Sequence, residues 1–127
     1  MASNNTPRPR QGEIWLTAFG AAKVGEPGKT RPAIVLTGSD QMTGSAYDLV
    51  VMVPISSTLP TSPVRPLVPA SARTGLAADS VAVVRALRGM APTRLLACVG
   101  QVDTTVLREI GEILGTLIEV DDSPEAP

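Results

Sequence analysis

The sequence predicts a mainly β domain: a small, strongly curved antiparallel sheet or open barrel, with one helix laid on it at the C-terminal end. Three observations carry this. Short runs rich in Ile, Val and aromatic residues alternate with loops rich in Gly, Pro and Ser, the pattern of strands separated by turns. Four prolines, Pro60, Pro63, Pro66 and Pro69, crowd one connection and rule out a central strand there. Only residues 104–119 place apolar side chains at the i, i+3, i+4 spacing of an amphipathic helix.

In chain order, residues 1–10 read as a disordered leader, 11–120 as one compact domain and 121–127 as an acidic flexible tail. Gln11-Gly12 is a turn signal, and residues 13–19 follow as a strand. A Gly- and Pro-rich loop then leads to Lys29-Thr30-Arg31, and Pro32 opens a short buried strand over 32–37. Arg31 is thus expected where a loop becomes a strand, exposed by the one and held by the other. A polar loop separates it from residues 48–55, nearly all apolar and expected to be buried on both faces.

Ser56-Ser57-Thr58 puts three hydroxyls directly after that strand. The proline-rich stretch allows at most an edge strand at Leu67-Val68. Turn-like residues follow, then a strand over 80–87, broken at 88–93. Residues 94–99 read as a short strand or a turn of helix, which periodicity does not decide. The final helix is expected to take Asp103 or Thr104 as N-cap and to carry an Arg108–Glu112 pair. Gly111 and Gly115 share one of its faces, where a sheet or a partner chain could approach closely.

Composition narrows the chemistry. With 43% apolar residues the chain buries a core without disulfides. Its single cysteine, Cys98, sits in an apolar run and is expected to be buried, so a reducing cytoplasm is the default compartment. The first ten residues do not read as a signal peptide, and no apolar run has membrane-spanning length. There is no histidine, which removes the usual general acid–base and the commonest transition-metal ligand. No Cys/His cluster or phosphate-cradling glycine loop is present, and neither metal nor cofactor is expected. Trp15, Phe19 and Tyr47 are the only aromatics, too few for a row of base-stacking platforms. Residues 1–100 carry ten bases against five acids, whereas residues 101–127 carry seven acids against Arg108 alone. A basic body with an acidic end permits a polyanion on one side.

If the strands at 32–37 and 48–55 pair antiparallel, Arg31 comes beside Ser56, with Lys29 and Glu26 nearby. A guanidinium and a hydroxyl at one rim suit a phosphodiester: arginine clamps the non-bridging oxygens and the hydroxyl bonds a phosphoryl or leaving oxygen. The base that takes the 2′ proton is left open between Glu26, another basic group and water. A strand-end serine also satisfies turn backbone, so Ser56 has a local use as well. Arg85, Arg88 and Arg94 could line the same basic surface or be solvated.

With those residues in hand, the sequence resembles the MazF/PemK family of toxins from type II toxin–antitoxin systems. Gln11-Gly12-Glu13-Ile14-Trp15 resembles the family's opening strand, and Gly25-Glu26-Pro27-Gly28-Lys29-Thr30-Arg31-Pro32 its Gly-x-Glu … Arg-Pro loop. Val53-Pro54-Ile55-Ser56-Ser57-Thr58 and Asp79-Ser80-Val81 with Arg88 and Arg94-Leu95 follow in family order. The resemblance implies an SH3-like antiparallel β-barrel of MazF/CcdB type with a C-terminal helix, working as a homodimer. It also implies metal-independent, sequence-selective cleavage of single-stranded RNA to 2′,3′-cyclic phosphate and 5′-OH ends, and a cognate antitoxin partner. Arg31 then takes the catalytic arginine's role and Ser56 stands where members often have threonine. Glu26, Lys29, Ser57 and Thr58 become candidates for catalysis or substrate binding, and Arg65, Arg85 and Arg88 for RNA binding. Ala86 before Leu87-Arg88, Arg85 at a position where an acid is common, and the proline-rich loop depart from the pattern. Two other readings use the same fold: an inactive barrel that only binds RNA or a partner, and a gyrase inhibitor like the CcdB proteins. The latter end in a Trp-Gly-Ile tip, absent here.

Overall fold

The computed structural model describes residues 8–20, 29–37 and 48–121. Glu26 and most of the tail lie outside these, as do residues 1–7 of the expected leader, while Pro9 is already buried against the domain. Seven strands form one strongly curled antiparallel sheet: β1 Glu13–Gly20, β2 Lys29–Val35, β3 Val50–Ser56, β4 Leu67–Val68, β5 Ser80–Ala82, β6 Arg88–Met90 and β7 Leu95–Gln101. The strand order is β4-β5-β3-β2-β1-β7, with β6 pairing β3 as well. Helix α1, Thr104–Leu117, closes the chain. The mainly β architecture with a C-terminal helix is the one the sequence predicts.

Alternation along the strands splits the apolar residues into two cores. Ile34, Val53 and Ile55 join Ile14, Val68, Val84 and Ile110 in the cluster covered by α1. Ala33, Val35, Val50 and Met52 point the other way, to Met90, Leu95, Trp15 and Phe19. Thr17 is fully buried beside this second core, its hydroxyl donating to the Trp15 carbonyl at 3.0 Å.

Two prolines interrupt the central strands where the ladders allow it. β2 starts at Lys29, not at Pro32, so Arg31 lies inside a strand rather than at its mouth. From Lys29 to Pro32 that strand is paired only with β1, since β3 reaches it from Ala33 onward. On such a one-sided stretch a missing N–H costs little. Pro54 falls where β3 changes partner, from β6 at Val50–Met52 to β5 at Ile55 and Ser56.

Other expectations need correction. The strand foreseen at 80–87 stops at Ala82, and a 3₁₀ turn, Val84–Ala86, lets the chain cross to β6, where a break was expected. Residues 95–101 are a strand, preceded by a 3₁₀ turn. Asp103 occupies the N-cap position, but its side chain makes no cap bond; its carboxylate pairs instead with Arg73 at 3.2 Å. Arg108 and Glu112 form no ion pair among the described residues. An added Cβ at Gly111 or Gly115 would meet nothing within this chain, so packing on its own sheet does not explain either glycine.

Cys98 is exposed rather than buried. It lies on β7, an edge strand that meets β1 alone, and two register shifts between those strands turn Leu96, Ala97 and Cys98 outward. Partial desolvation, then the nearby Glu13 carboxylate, raise the Cys98 pKa above the ordinary thiol value. Because the thiolate is the attacking form, alkylation by iodoacetamide near pH 8 is expected to run slower than for a free thiol. Glu13→Gln removes the charge and is expected to quicken it, as a mass-spectrometric time course would show.

Candidate active site

The β2–β3 ladder runs Ala33↔Pro54, Ile34↔Val53, Val35↔Met52. Continued two residues past its last rung, this register sets Arg31 across from Ser56, as the sequence predicted for antiparallel strands. Alternation sets Arg31 in step with Ala33 and Ser56 in step with Pro54. Each is held from its outer side: Arg31 pairs with Thr17 of β1, and Ser56 with Val81 of β5. The two strands therefore fork at this point.

Arg31, Ser56, Ser57 and Thr58 line one cavity of ≈ 410 Å³ at the fork. Arg31, Ser57 and Thr58 are exposed and Ser56 is buried. The Thr58 N–H donates to the Ser56 hydroxyl oxygen at 3.2 Å, and the Ser56 and Thr58 hydroxyls are also 3.2 Å apart. The local turn bond and the rim position therefore coexist. One lone pair of Ser56 is used by the turn, which fixes the oxygen while its own proton stays able to turn toward Thr58 or a ligand. A charged fork of donors beside an oriented hydroxyl is a site for a tetrahedral oxyanion such as a phosphodiester.

The other candidate residues are elsewhere. Lys29 begins β2, two residues from Arg31, and does not line the cavity. Arg65 lies in the proline-rich loop, where its Nε donates to the Pro60 carbonyl at 2.9 Å. The Arg88 guanidinium sits 5.5 Å from the centre of the Phe19 ring, within cation–π range. Arg85 and Arg94 are exposed on 3₁₀ turns. None of these arginines reaches the Arg31–Ser56 cavity. Among the described residues no carboxylate lines it either, and Glu26 lies outside them.

Sequence reasoning missed a second stretch. Leu76, Ala77, Ala78 and Ser80 line the same cavity, because β5 pairs with the end of β3 and brings its own approach past Ser57. Alanine and leucine carry no chemical signature, so only the pairing reveals them.

Known proteins share this arrangement of strands and helix. A sequence model of the family described as "PemK-like, MazF-like toxin of type II toxin-antitoxin system" matches residues 10–118. Endoribonuclease MazF9 of Mycobacterium tuberculosis is 32% identical over 110 residues, covering 83% of this chain and 92% of that protein. A crystal structure of MazF from Deinococcus radiodurans superposes with a TM-score of 0.71 at 23% identity, covering 90% of this chain and 99% of that one. A chain of a MazE-MazF crystal structure from the same organism gives a TM-score of 0.69 at 22% identity, covering 91% of this chain and 99% of that one. At those identities the structures speak for the fold, while the sequence matches carry kinship. The chain belongs to the PemK-like, MazF-like toxin family of type II toxin–antitoxin systems.

Proposed function

We propose that this toxin is an endoribonuclease that cleaves single-stranded RNA without a metal ion, with Arg31 and Ser56 as its catalytic residues. The observation that supports the reading best is their meeting at one solvent-open rim, across the fork of β2 and β3, in a single cavity. In the reaction the substrate's 2′ oxygen attacks the adjacent phosphorus. A 2′-O–P bond forms as the P–O5′ bond breaks, leaving a 2′,3′-cyclic phosphate and a 5′ oxygen that gains a proton. Arg31 binds the non-bridging oxygens, whose negative charge concentrates as phosphorus becomes five-coordinate. The Ser56 hydroxyl, its oxygen held by the Thr58 N–H, donates to a phosphoryl or leaving oxygen. Glu26, another basic group or water takes the 2′ proton, and Lys29, Ser57 and Thr58 are candidates for catalysis or substrate binding.

The family match and the MazE-MazF neighbour support an antitoxin as partner. A homodimer in the cytoplasm completes the reading; among the described residues no helix is long and apolar enough to cross a membrane.

The test is direct. Purified protein in EDTA is expected to cleave single-stranded RNA and leave 5′-OH ends. Ser56→Ala is expected to slow this about a hundredfold while the melting temperature stays within a few degrees. Stoichiometric RNA binding with no turnover would instead favour the inactive barrel, and inhibited supercoiling without RNA cleavage the gyrase reading.

A further inference from the structure

We propose that residues 76–78 form a nucleobase subsite next to the scissile phosphate, in which the small side chains of Ala77 and Ala78 set the size of the base admitted. The inference rests on the reading of the Arg31–Ser56 rim as the place of cleavage.

The cavity at that rim is chemically divided. The β2–β3 rim contributes a guanidinium and hydroxyls, whereas residues 76–78 contribute only aliphatic side chains. A nucleotide is divided the same way, into an anionic phosphate with its ribose and a flat base with apolar faces. The volume, ≈ 410 Å³, lies low in the range of small-ligand pockets, about 300–1,000 Å³. It suits one nucleotide and not a length of strand.

The aliphatic stretch is anchored at both ends. Upstream, Gly75 has φ +69° and lies so close to the Val99 carbonyl that a Cβ would fall 2.0 Å from its oxygen. Leu76 packs on the first core. Downstream, the Asp79 carboxylate accepts the Ala70 N–H at 2.8 Å, and the Ser80 hydroxyl donates to the Ala78 carbonyl at 2.9 Å. A fixed stretch discriminates by size, because it does not yield to a base that is too large. Ser80 spends its proton on Ala78, so this part of the cavity presents no side-chain donor to a base edge. Selection here is by shape. Ala77 and Ala78 are both exposed, so enlarging them disturbs no core.

Ala77→Leu and Ala78→Leu, compared with the unaltered protein on an RNA pool randomised around the cleavage site, test the inference through sequencing of the 5′-OH ends. The expected result is that relative use of the four bases changes about tenfold at one position adjoining the cleaved bond, with the other positions unchanged. A uniform loss of rate with preferences intact, or no change in either variant, overturns it. Titration of the isotope-labelled protein with the four nucleoside 3′-monophosphates gives a readout that needs no turnover. Shifts at the Ala77 and Ala78 methyls support the subsite. If those methyls shift but no RNA is cleaved, residues 76–78 touch a nucleotide but adjoin no scissile phosphate, and the inference falls with the endoribonuclease reading. If RNA is cleaved in an Arg31-dependent way while neither preferences nor methyls respond, the subsite falls alone. If nothing is cleaved and no methyl moves, both fall.

Discussion

Arg31→Ala is expected to lower the turnover of single-stranded RNA by at least about a hundredfold, the usual scale for removing one positioned charge-stabilising donor. The side chain is exposed, so its loss opens no cavity, and the backbone it leaves is still paired to Thr17. The melting temperature should therefore hardly move, and a fall in rate reports chemistry rather than unfolding. Arg31→Lys sharpens the result. It keeps a positive charge and gives up the planar fork that binds two oxygens at once, so a rate between wild type and alanine is expected. Initial rates on a fluorogenic oligonucleotide in EDTA, with circular dichroism on the same samples, decide it. Full cleavage by Arg31→Ala would move the active site away from the β2–β3 fork.

Gly75→Ala is expected to cost about 3 kcal/mol or more of folding stability, combining a left-handed backbone with a forced steric clash. The φ of +69° is open to glycine and strained for alanine, and the new methyl would be driven against the Val99 carbonyl, which is itself part of β7. Neither partner is the free end of a flexible side chain, so relief requires backbone movement. The 71–75 turn would also be disturbed, where the Gly75 N–H donates to the Ser71 carbonyl at 2.9 Å and the Thr74 hydroxyl donates to the Pro69 carbonyl at 2.9 Å. Urea denaturation should show the midpoint falling with its slope unchanged. A midpoint equal to that of the wild type would mean that β7 and the turn can part freely.

Much of the architecture was legible because it depends on local pattern. The β-branched and aromatic runs of β1, β2 and β3 and the single periodic helix announce themselves, and antiparallel neighbours suffice to bring Arg31 to Ser56. What failed depends on tertiary partners. Val83 and Val84 continue an apolar run that looks like strand, yet the chain turns there to exchange one neighbour of β3 for another. Cys98 looks buried in sequence because its neighbours are apolar, but an edge strand with shifted register faces them to solvent. The arginines show the limit of charge as a guide. Arg65 secures a proline loop and Arg88 lies over an aromatic ring, tasks that a list of cations cannot separate from phosphate binding.

The fork between β2 and β3 makes the site mechanical as well as chemical. Arg31 is paired to β1, and Ser56 to β5 and, through it, to the β4 edge. Guanidinium and hydroxyl thus ride on two arms of one sheet, joined at three register pairs behind them. Their separation is a function of sheet twist, like the gap of a jaw whose hinge lies at Ala33 and Pro54. The Ala33–Pro54 pair, which touches no substrate in this arrangement, thereby sets the spacing of the two groups that do.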